Sequence, residues 1–235
     1  MPSQVASAIL SSAFEAGMKS LLESEADRVV RQYGIKVAAS ALARDKTELE
    51  PIARRLGFPV VLKIVSKDVQ HKSDVGGVRT GIASLRQARE AYESILANVK
   101  RASPKADVAG ILVQKMAPAG TEFVIGGTRD RQFGPAVMFG LGGIYVELFR
   151  DVSFRLAPLS EDEAFGMIME TKASRLLTGF RGSGPLDEEA AARTIVALGA
   201  LMVEHPEIDS VDINPLFVYP KGVLAVDVRI LLKTK

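Results

Sequence analysis

The sequence predicts an α+β protein folded as two lobes, and three observations carry that reading. Through the first 100 residues, helical and strand-like patterns alternate. From residue 110 the texture changes to apolar runs separated by Pro and Gly turns, "GILVQKM", "TEFVIGGT" and "PAVMFG". Between the two textures, Pro104–Gly110 reads as a joint. At 235 residues, 47% of them hydrophobic, the chain is long enough for one large domain or two small ones.

Element by element, residues 3–22 read as an amphipathic helix, with Ile9, Leu10, Phe14, Met18, Leu21 and Leu22 at helical spacing and Ser3 as a cap. Ser24 is placed to cap a second helix carrying Val29, Val30 and Tyr33, which Gly34 ends. "IKVAASAL" alternates loosely like a strand. Thr47 with Glu50 has the capping-box spacing for a helix that runs through Leu56 and stops at Gly57, with Pro51 early enough to be tolerated. "PVVLKIV" and "GVRTGIAS" are strands on either side of a polar loop, and Leu85, Ala88, Tyr92, Ile95, Leu96 and Val99 mark a long helix. In the second half "SFRLAPL" is a fourth strand. Ser160 with Glu163 caps a helix to about 172, and Asp187 opens one with Ile195, Leu198, Leu201 and Met202 on one face. The end reads as two strands around a "PKG" turn.

Composition removes several function classes. Lys plus Arg is 30 and Asp plus Glu 28, a net charge of +2 with no run of five like charges, which argues against a nucleic-acid partner. Cysteine is absent and there are two histidines, which leaves no thiolate chemistry and disfavours a zinc site. No apolar run approaches the roughly 18 residues that span a bilayer, and "MPSQVASAIL" has no basic segment ahead of its apolar residues. The expectation is a cytoplasmic protein without a membrane partner. The P-loop and the Rossmann fingerprint are both missing, so phosphates would have to be held by other means.

Four groups of residues could carry chemistry. Lys63 falls on a buried-side position of an apolar strand, where an ammonium needs an anionic partner; the plain alternative is a lysine that snorkels or pairs with a carboxylate. Asp212 and Asn214 in "DINPL" share a strand face, and the hairpin returns Asp227 beside them, a set of oxygens suited to Mg²⁺, or else hairpin-end residues capping backbone groups. His71, in "DVQHKSDVGGVRT", is a neutral imidazole able to attack phosphorus, with Gly76–Gly77 as an anion-holding turn or hinge; the alternative is a solvated loop histidine. His205, in "VEHPEID", is assigned to that alternative. Gly140, Gly142 and Gly143 in "FGLGGIYVE" allow close approach of a ligand or partner, or form a plain turn.

Together and in order, these pieces resemble the ATP-grasp fold, in which two α+β lobes hold ATP between them. The segments "GFPVVLKIVSKDVQHKSDVGGV", "ILVQKMAPAGTEFVIGGTRDRQFGPAVMFGLGGIYVELFRDVSFRLAPL", "VDINPLFV" and "AVDVRI" closely resemble the β subunit of ADP-forming acetyl-CoA (acyl-CoA) synthetase, over residues 20–232. The resemblance implies one ATP-grasp domain, with a lid-like subdomain at 26–108 carrying Lys63 and His71 and a second at 109–235 joined by the N-terminal helix 1–25. It implies that a phosphoryl group passes from acyl phosphate to a histidine of a CoA-binding α subunit, then to His71, then to ADP. By the same matching, Lys63 contacts nucleotide phosphates, with Lys36 as the other lysine of the pair. Gln114, Lys115 and Met116 face adenine, Glu122 the ribose, and Asn214 and Asp227 ligate Mg²⁺. Asp212 orients the visiting α-subunit histidine. The partner would be that α subunit, in an α₂β₂ assembly. Two other readings stay open: another ATP-grasp ligase or a succinyl-CoA synthetase-like β subunit, neither excluded by the residues, and a regulatory subunit that binds nucleotide without chemistry.

Overall fold

The apolar runs fold as strands and the 3–4 periodic segments as helices in a computed structural model that describes residues 3–69, 71–143, 151–180 and 182–234. The first helix, α1 (Gln4–Glu15), buries Ala6, Leu10 and Ala13 and is shorter than the predicted 3–22. Gly17, at φ +69°, turns the chain. Leu21 then runs extended, its N–H donating to the Ile230 carbonyl at 3.0 Å. Its side chain is still buried, so the apolar spacing reflects a shared core and not a continuing helix. Ser3 does not cap: its hydroxyl donates to Gln32 Oε1 at 2.9 Å. In α2 (Glu23–Arg31) the N-cap is Leu22, whose N–H donates to the Glu25 carboxylate at 3.0 Å, and not Ser24.

Two units follow from the contacts, one of residues 1–37 with 119–235 and one of residues 38–118. The smaller contains β1 (Ser40–Ala43), α3 (Lys46–Leu56), β2 (Val60–Ser66), β3 (Val78–Ile82), α4 (Leu85–Ala102) and β4 (Val108–Lys115). Its sheet runs β1-β4-β2-β3, every neighbour antiparallel. Leu49, Ala53, Leu62, Ile64, Ile95 and Ile111 belong to the core that α3 and α4 cover on one sheet face. Asp45 caps α3, accepting from the N–H groups of Thr47 and Glu48 at 2.8 and 3.1 Å. The expected Thr47/Glu50 box does not form, because Glu50 turns to Arg54 and Arg89.

The larger unit adds β5 (Thr121–Asp130), β6 (Gly134–Leu141), β7 (Val152–Leu156), α5 (Glu161–Met169), α6 (Ser174–Leu177), α7 (Glu188–Glu204), β8 (Ile208–Val218), β9 (Val223–Ala225) and β10 (Val228–Leu232). Its sheet runs β10-β8-β5-β6-β7, with β9 beside β8. The carboxyl end therefore holds three strands where the sequence suggested two, since the chain leaves β9 at Val226–Asp227 before pairing again with β8. Ser160 and Glu163 form the expected capping box, and α5 ends at Met169, short of 172. Phe123, Ile125, Val137, Phe139, Ile213 and Ile230 alternate onto one face of the sheet and join the helical core.

These units differ from subdomains drawn at 26–108 and 109–235. Ala26, Val29 and Val30 of α2 bury in the larger unit's core. Ile111 and Val113 of β4, a central strand of the four-stranded sheet, bury in the smaller one. The chain crosses between the units inside "IKVAASAL": Val37 bridges to Ala225, while Ser40 opens β1.

Candidate functional site

Lys63 is set by alternation along β2. Val60, Leu62 and Ile64 enter the core, so Val61, Lys63 and Val65 take the opposite face. Register completes that face. Lys63 is paired with Leu112 and Val78, and Val61 with Gln114, which is also paired with Ser40. Cross-strand partners share a face, so Lys63 and Gln114 stand on the same one, both buried, Lys63 at 5% exposure. Lys115 points elsewhere: its ammonium donates to the carbonyls of Gly57 and Phe58 at 3.0 and 2.9 Å, tying β4 to the end of α3. The Met116 N–H is used by the Pro59 carbonyl, leaving its partly exposed side chain and its carbonyl for other contacts.

After β2 the chain makes one helical turn and closes it. The Gly77 N–H donates to the Lys72 carbonyl at 2.7 Å and the Gly76 N–H to Ser73 at 3.0 Å, with Gly76 at φ +65°. That is the Schellman arrangement, and it requires a left-handed residue where Gly76 stands. Gly77 is required for space, since a Cβ there would lie 2.6 Å from Ile64 Cγ2 and 2.9 Å from the Lys72 carbonyl. The Gly77 carbonyl accepts from Ile64 N–H at 2.8 Å and that of Gly76 from Asn98 Nδ2 at 3.3 Å. Of the two expectations for the Gly-Gly pair, an anion-holding turn or a hinge, the geometry is that of a clamped turn. His71 stands at its head, exposed, with its carbonyl accepting from Asp74 N–H at 3.2 Å and no hydrogen bond to its ring among the described residues.

In the larger unit, alternation puts a second set of residues on the sheet face away from the helices. Ile213 is buried in the core, so Asp212 and Asn214 are not on its side. Asp212 is paired with Arg229 on β10 and with Gly126 on β5. Asn214 N–H donates to the Asp227 carbonyl at 3.2 Å, continuing the ladder by one residue. Glu122, paired with Phe217, and Gly140, paired with Val124 and Val152, lie on this face as well. The Glu122 carbonyl accepts from Gly142 N–H at 2.9 Å, and a Cβ on Gly143 (φ +65°) would meet Glu122 Oε2 at 2.9 Å. Residues 144–150 of the glycine-rich segment lie outside the described residues.

The Asp212 side chain reaches the surface, yet enough protein surrounds its carboxyl to disfavour the charge. Burial first, and then the neighbouring Asp227 carboxylate, push its pKa up, while Arg229 pulls it back down. Gly126 and Arg229 were not among the residues picked out from sequence. The alternation of "DVRI", with Val228 and Ile230 buried, was the available signal for Arg229.

Lys36 is placed differently. It lines a shallow groove with Tyr33, Arg193, Thr194 and Gly222, which none of Glu122, Asp212, Asn214 or Asp227 lines. His205 corrects the sequence reading in its surroundings: it is not solvated but buried, capping α7, with Nε2 2.8 Å from the Tyr33 hydroxyl and Nδ1 3.2 Å from Glu207. Tyr33 also donates to Glu204 at 2.6 Å, and burial with that acceptor raises its pKa. Arg129 joins the cluster through the carbonyls of Met202, His205 and Ile208. This is a helix-end network that holds α7 to the sheet.

Among the described residues, no three His, Cys, Asp or Glu are grouped to hold a metal, and no helix is long and apolar enough to cross a membrane. Comparison with known proteins gives a consistent result. The ATP-grasp domain model matches residues 12–232. The β subunit of ADP-forming acetate–CoA ligase I of Pyrococcus furiosus is 46% identical over 218 residues, 93% of this chain and 94% of that one. The single-chain ADP-forming acetate–CoA ligase I of Archaeoglobus fulgidus is 47% identical over 204 residues, 87% of this chain but 30% of its own length. A solved structure of the dinucleotide-forming acetyl-coenzyme A synthetase 1 of Ca. Korarchaeum cryptofilum superposes with a TM-score of 0.87 at 50% identity, covering 97% of this chain and all of the matched one. That protein was captured with coenzyme A and Mg-AMPPCP, its phosphohistidine segment pointing towards the nucleotide-binding site.

Proposed function

The chain belongs to the ATP-grasp family of ADP-forming acetate–CoA ligase β subunits, and on that premise we propose that it is the nucleotide-binding half of such a ligase. It moves a phosphoryl group between a histidine and ADP or ATP, coupling acyl-CoA cleavage to ATP synthesis. The observation that carries this reading is the gathering of Glu122, Asp212, Asn214 and Asp227 on one sheet face of the larger unit. The exposed His71 on its clamped turn supplies the nucleophile.

A carboxylate and an amide oxygen side by side are hard donors, and two protein oxygens suffice for Mg²⁺ when phosphates and water complete the octahedron. Asn214 and Asp227 would hold the ion, which when bound neutralises phosphate charge. His71 attacks the γ-phosphorus of ATP as a neutral imidazole: an N–P bond forms, the bond to the β,γ-bridging oxygen breaks, and ADP leaves. ATP synthesis is the reverse. Lys63 provides a charge for the phosphates, Gln114 and Met116 line the base, Glu122 accepts from the ribose, and Asp212 orients the partner's histidine. Lys115 holds the base-lining segment in place through Gly57 and Phe58. The partner is a CoA-binding α subunit, in an α₂β₂ complex.

The test is direct. Incubation with Mg·[γ-³²P]ATP should place an acid-labile, base-stable label on the peptide containing His71; label on the His205 peptide would refute the assignment. Calorimetry should show weaker nucleotide binding by Lys63→Ala, by about 10-fold or more for a lost charge-assisted contact, and a raised Mg²⁺ requirement in Asn214→Ala and Asp227→Ala. Unchanged affinities in all three would remove the site. Sedimentation of the chain mixed with its α subunit should give one species with the mass of two copies of each.

A further inference from the structure

Val228 and Ile230 are both buried in the helical core, so the side chain between them, Arg229, is committed to the other sheet face. There it stands opposite Asp212, two ladder positions from the Asn214–Asp227 pair and so on the same face. On the far side of Asp212, β5 presents Gly126, which contributes no side chain. The space over Asp212 is therefore bounded by an arginine on one side; on the other, Gly126 adds no side chain and the next group is the Met138 methyl of β6, 3.4 Å from where a Gly126 Cβ would stand. Arg229 is exposed and makes no ion pair among the described residues, although two carboxylates are its neighbours. A guanidinium is a planar fork that matches phosphoryl oxygens two at a time. A phosphoryl group in transfer spreads charge over three equatorial oxygens, more than the metal ion alone covers.

We propose that Arg229 contacts the phosphoryl group in transit, whether it is still on the nucleotide or already on a histidine. The assignment rests on the phosphoryl-transfer reading above. A guanidinium that only balances Asp212 and Asp227 would treat ADP and ATP alike. One that grips the transferable group distinguishes them, because ADP lacks it.

The experiment uses the full chain and compares wild type, Arg229→Met and Arg229→Lys, with thermal melts showing that the exposed substitutions leave the fold in place. Calorimetry measures Mg·ADP and Mg·AMPPCP, and the rate of labelling of His71 by Mg·ATP is followed separately. Arg229→Met should lose about 10- to 100-fold in AMPPCP affinity, the loss of one charge-assisted contact, while ADP affinity stays within about threefold; Arg229→Lys should recover part of the loss. Unchanged nucleotide affinities with slowed labelling would place the contact on the phosphohistidine and still support the proposal. Equal losses for ADP and AMPPCP, or no change in affinity and labelling, would overturn it with the broader reading intact. Wild-type chain that binds neither nucleotide would instead bring down that reading, and this inference with it.

Discussion

The two histidines of this chain occupy opposite kinds of surroundings. His205 is buried at the end of α7, with both ring nitrogens near partners, Tyr33 and Glu207, and Arg129 tying its carbonyl to the sheet. His71 is exposed on a turn whose backbone is fully specified while its ring is left without a protein hydrogen bond among the described residues. An imidazole locked between a phenol and a carboxylate is spent on structure. One held at a fixed point with its nitrogens available is suited to chemistry. The difference teaches that residue type is uninformative here: rigidity of the support combined with freedom of the ring marks the functional member of the pair.

The largest expected effect breaks or confirms that comparison outright. His71→Ala should lower phosphoryl transfer by at least about a thousandfold, because a covalent relay with one station removed has no partial route. Nucleotide affinity and melting temperature should stay near wild type. Turnover within a few-fold of wild type would make His71 another surface residue.

The reciprocal substitution comes next. His205→Ala removes a buried ring and leaves the Tyr33 hydroxyl short of a partner, at a cost of about 3 kcal/mol. Denaturant melts should show the loss, while activity per folded molecule is retained. A stable His205→Ala protein that cannot transfer phosphoryl groups would invert the assignment.

A smaller effect sharpens the description of the His71 support. If Gly77 were a swinging hinge with room around it, alanine would be neutral or slightly stabilising, through the entropy of the unfolded chain. The contacts with Ile64 and the Lys72 carbonyl predict the opposite: Gly77→Ala should destabilise by about 2 kcal/mol and slow labelling of His71 with it. Unchanged stability would restore the hinge.

The sequence made these elements legible to unequal degrees. β2, β4, β5 and β6 announce themselves as apolar runs, and α4 and α7 as long periodic stripes, because their own side chains decide their state. The end of α1 was hidden: Leu21 has the right spacing for a helix but reaches the core as extended chain. The unit boundaries were hidden too, since the stripe of α2 says that it buries a face but not in which core. At the site, Asp212 and Asn214 could be placed on one face by counting residues. Arg229 and Gly126 needed the strand register, which is a property of the folded sheet. Lys115 reads as part of the segment facing adenine, but the carbonyls that take up its ammonium come from a segment nearly 60 residues earlier, Lys115 to Gly57 being a separation of 58.

The smallest effect concerns the other end of α7 and carries a pH signature. Asp187 caps the helix by accepting from Ala190 N–H at 2.9 Å, and its second oxygen accepts from Gly222 N–H at 2.6 Å, joining α7 to the β8–β9 turn. The Ala190 hydrogen bond, aided by that to Gly222 and opposed by burial, lowers its pKa. The carboxylate is only partly buried, so the gain is a capping gain: Asp187→Ala should cost about 1 kcal/mol at neutral pH. A group whose folded pKa is depressed contributes fully above its unfolded value, near 3.9 for an aspartate, and loses that contribution as the pH falls through the folded value. The stability gap between wild type and Asp187→Ala should therefore be constant from pH 7 to about 5 and close progressively below about 4. Urea melts of wild type and Asp187→Ala at pH 7, 5 and 3 measure that gap, and one that widened on acidification would show that the carboxylate is not what caps α7.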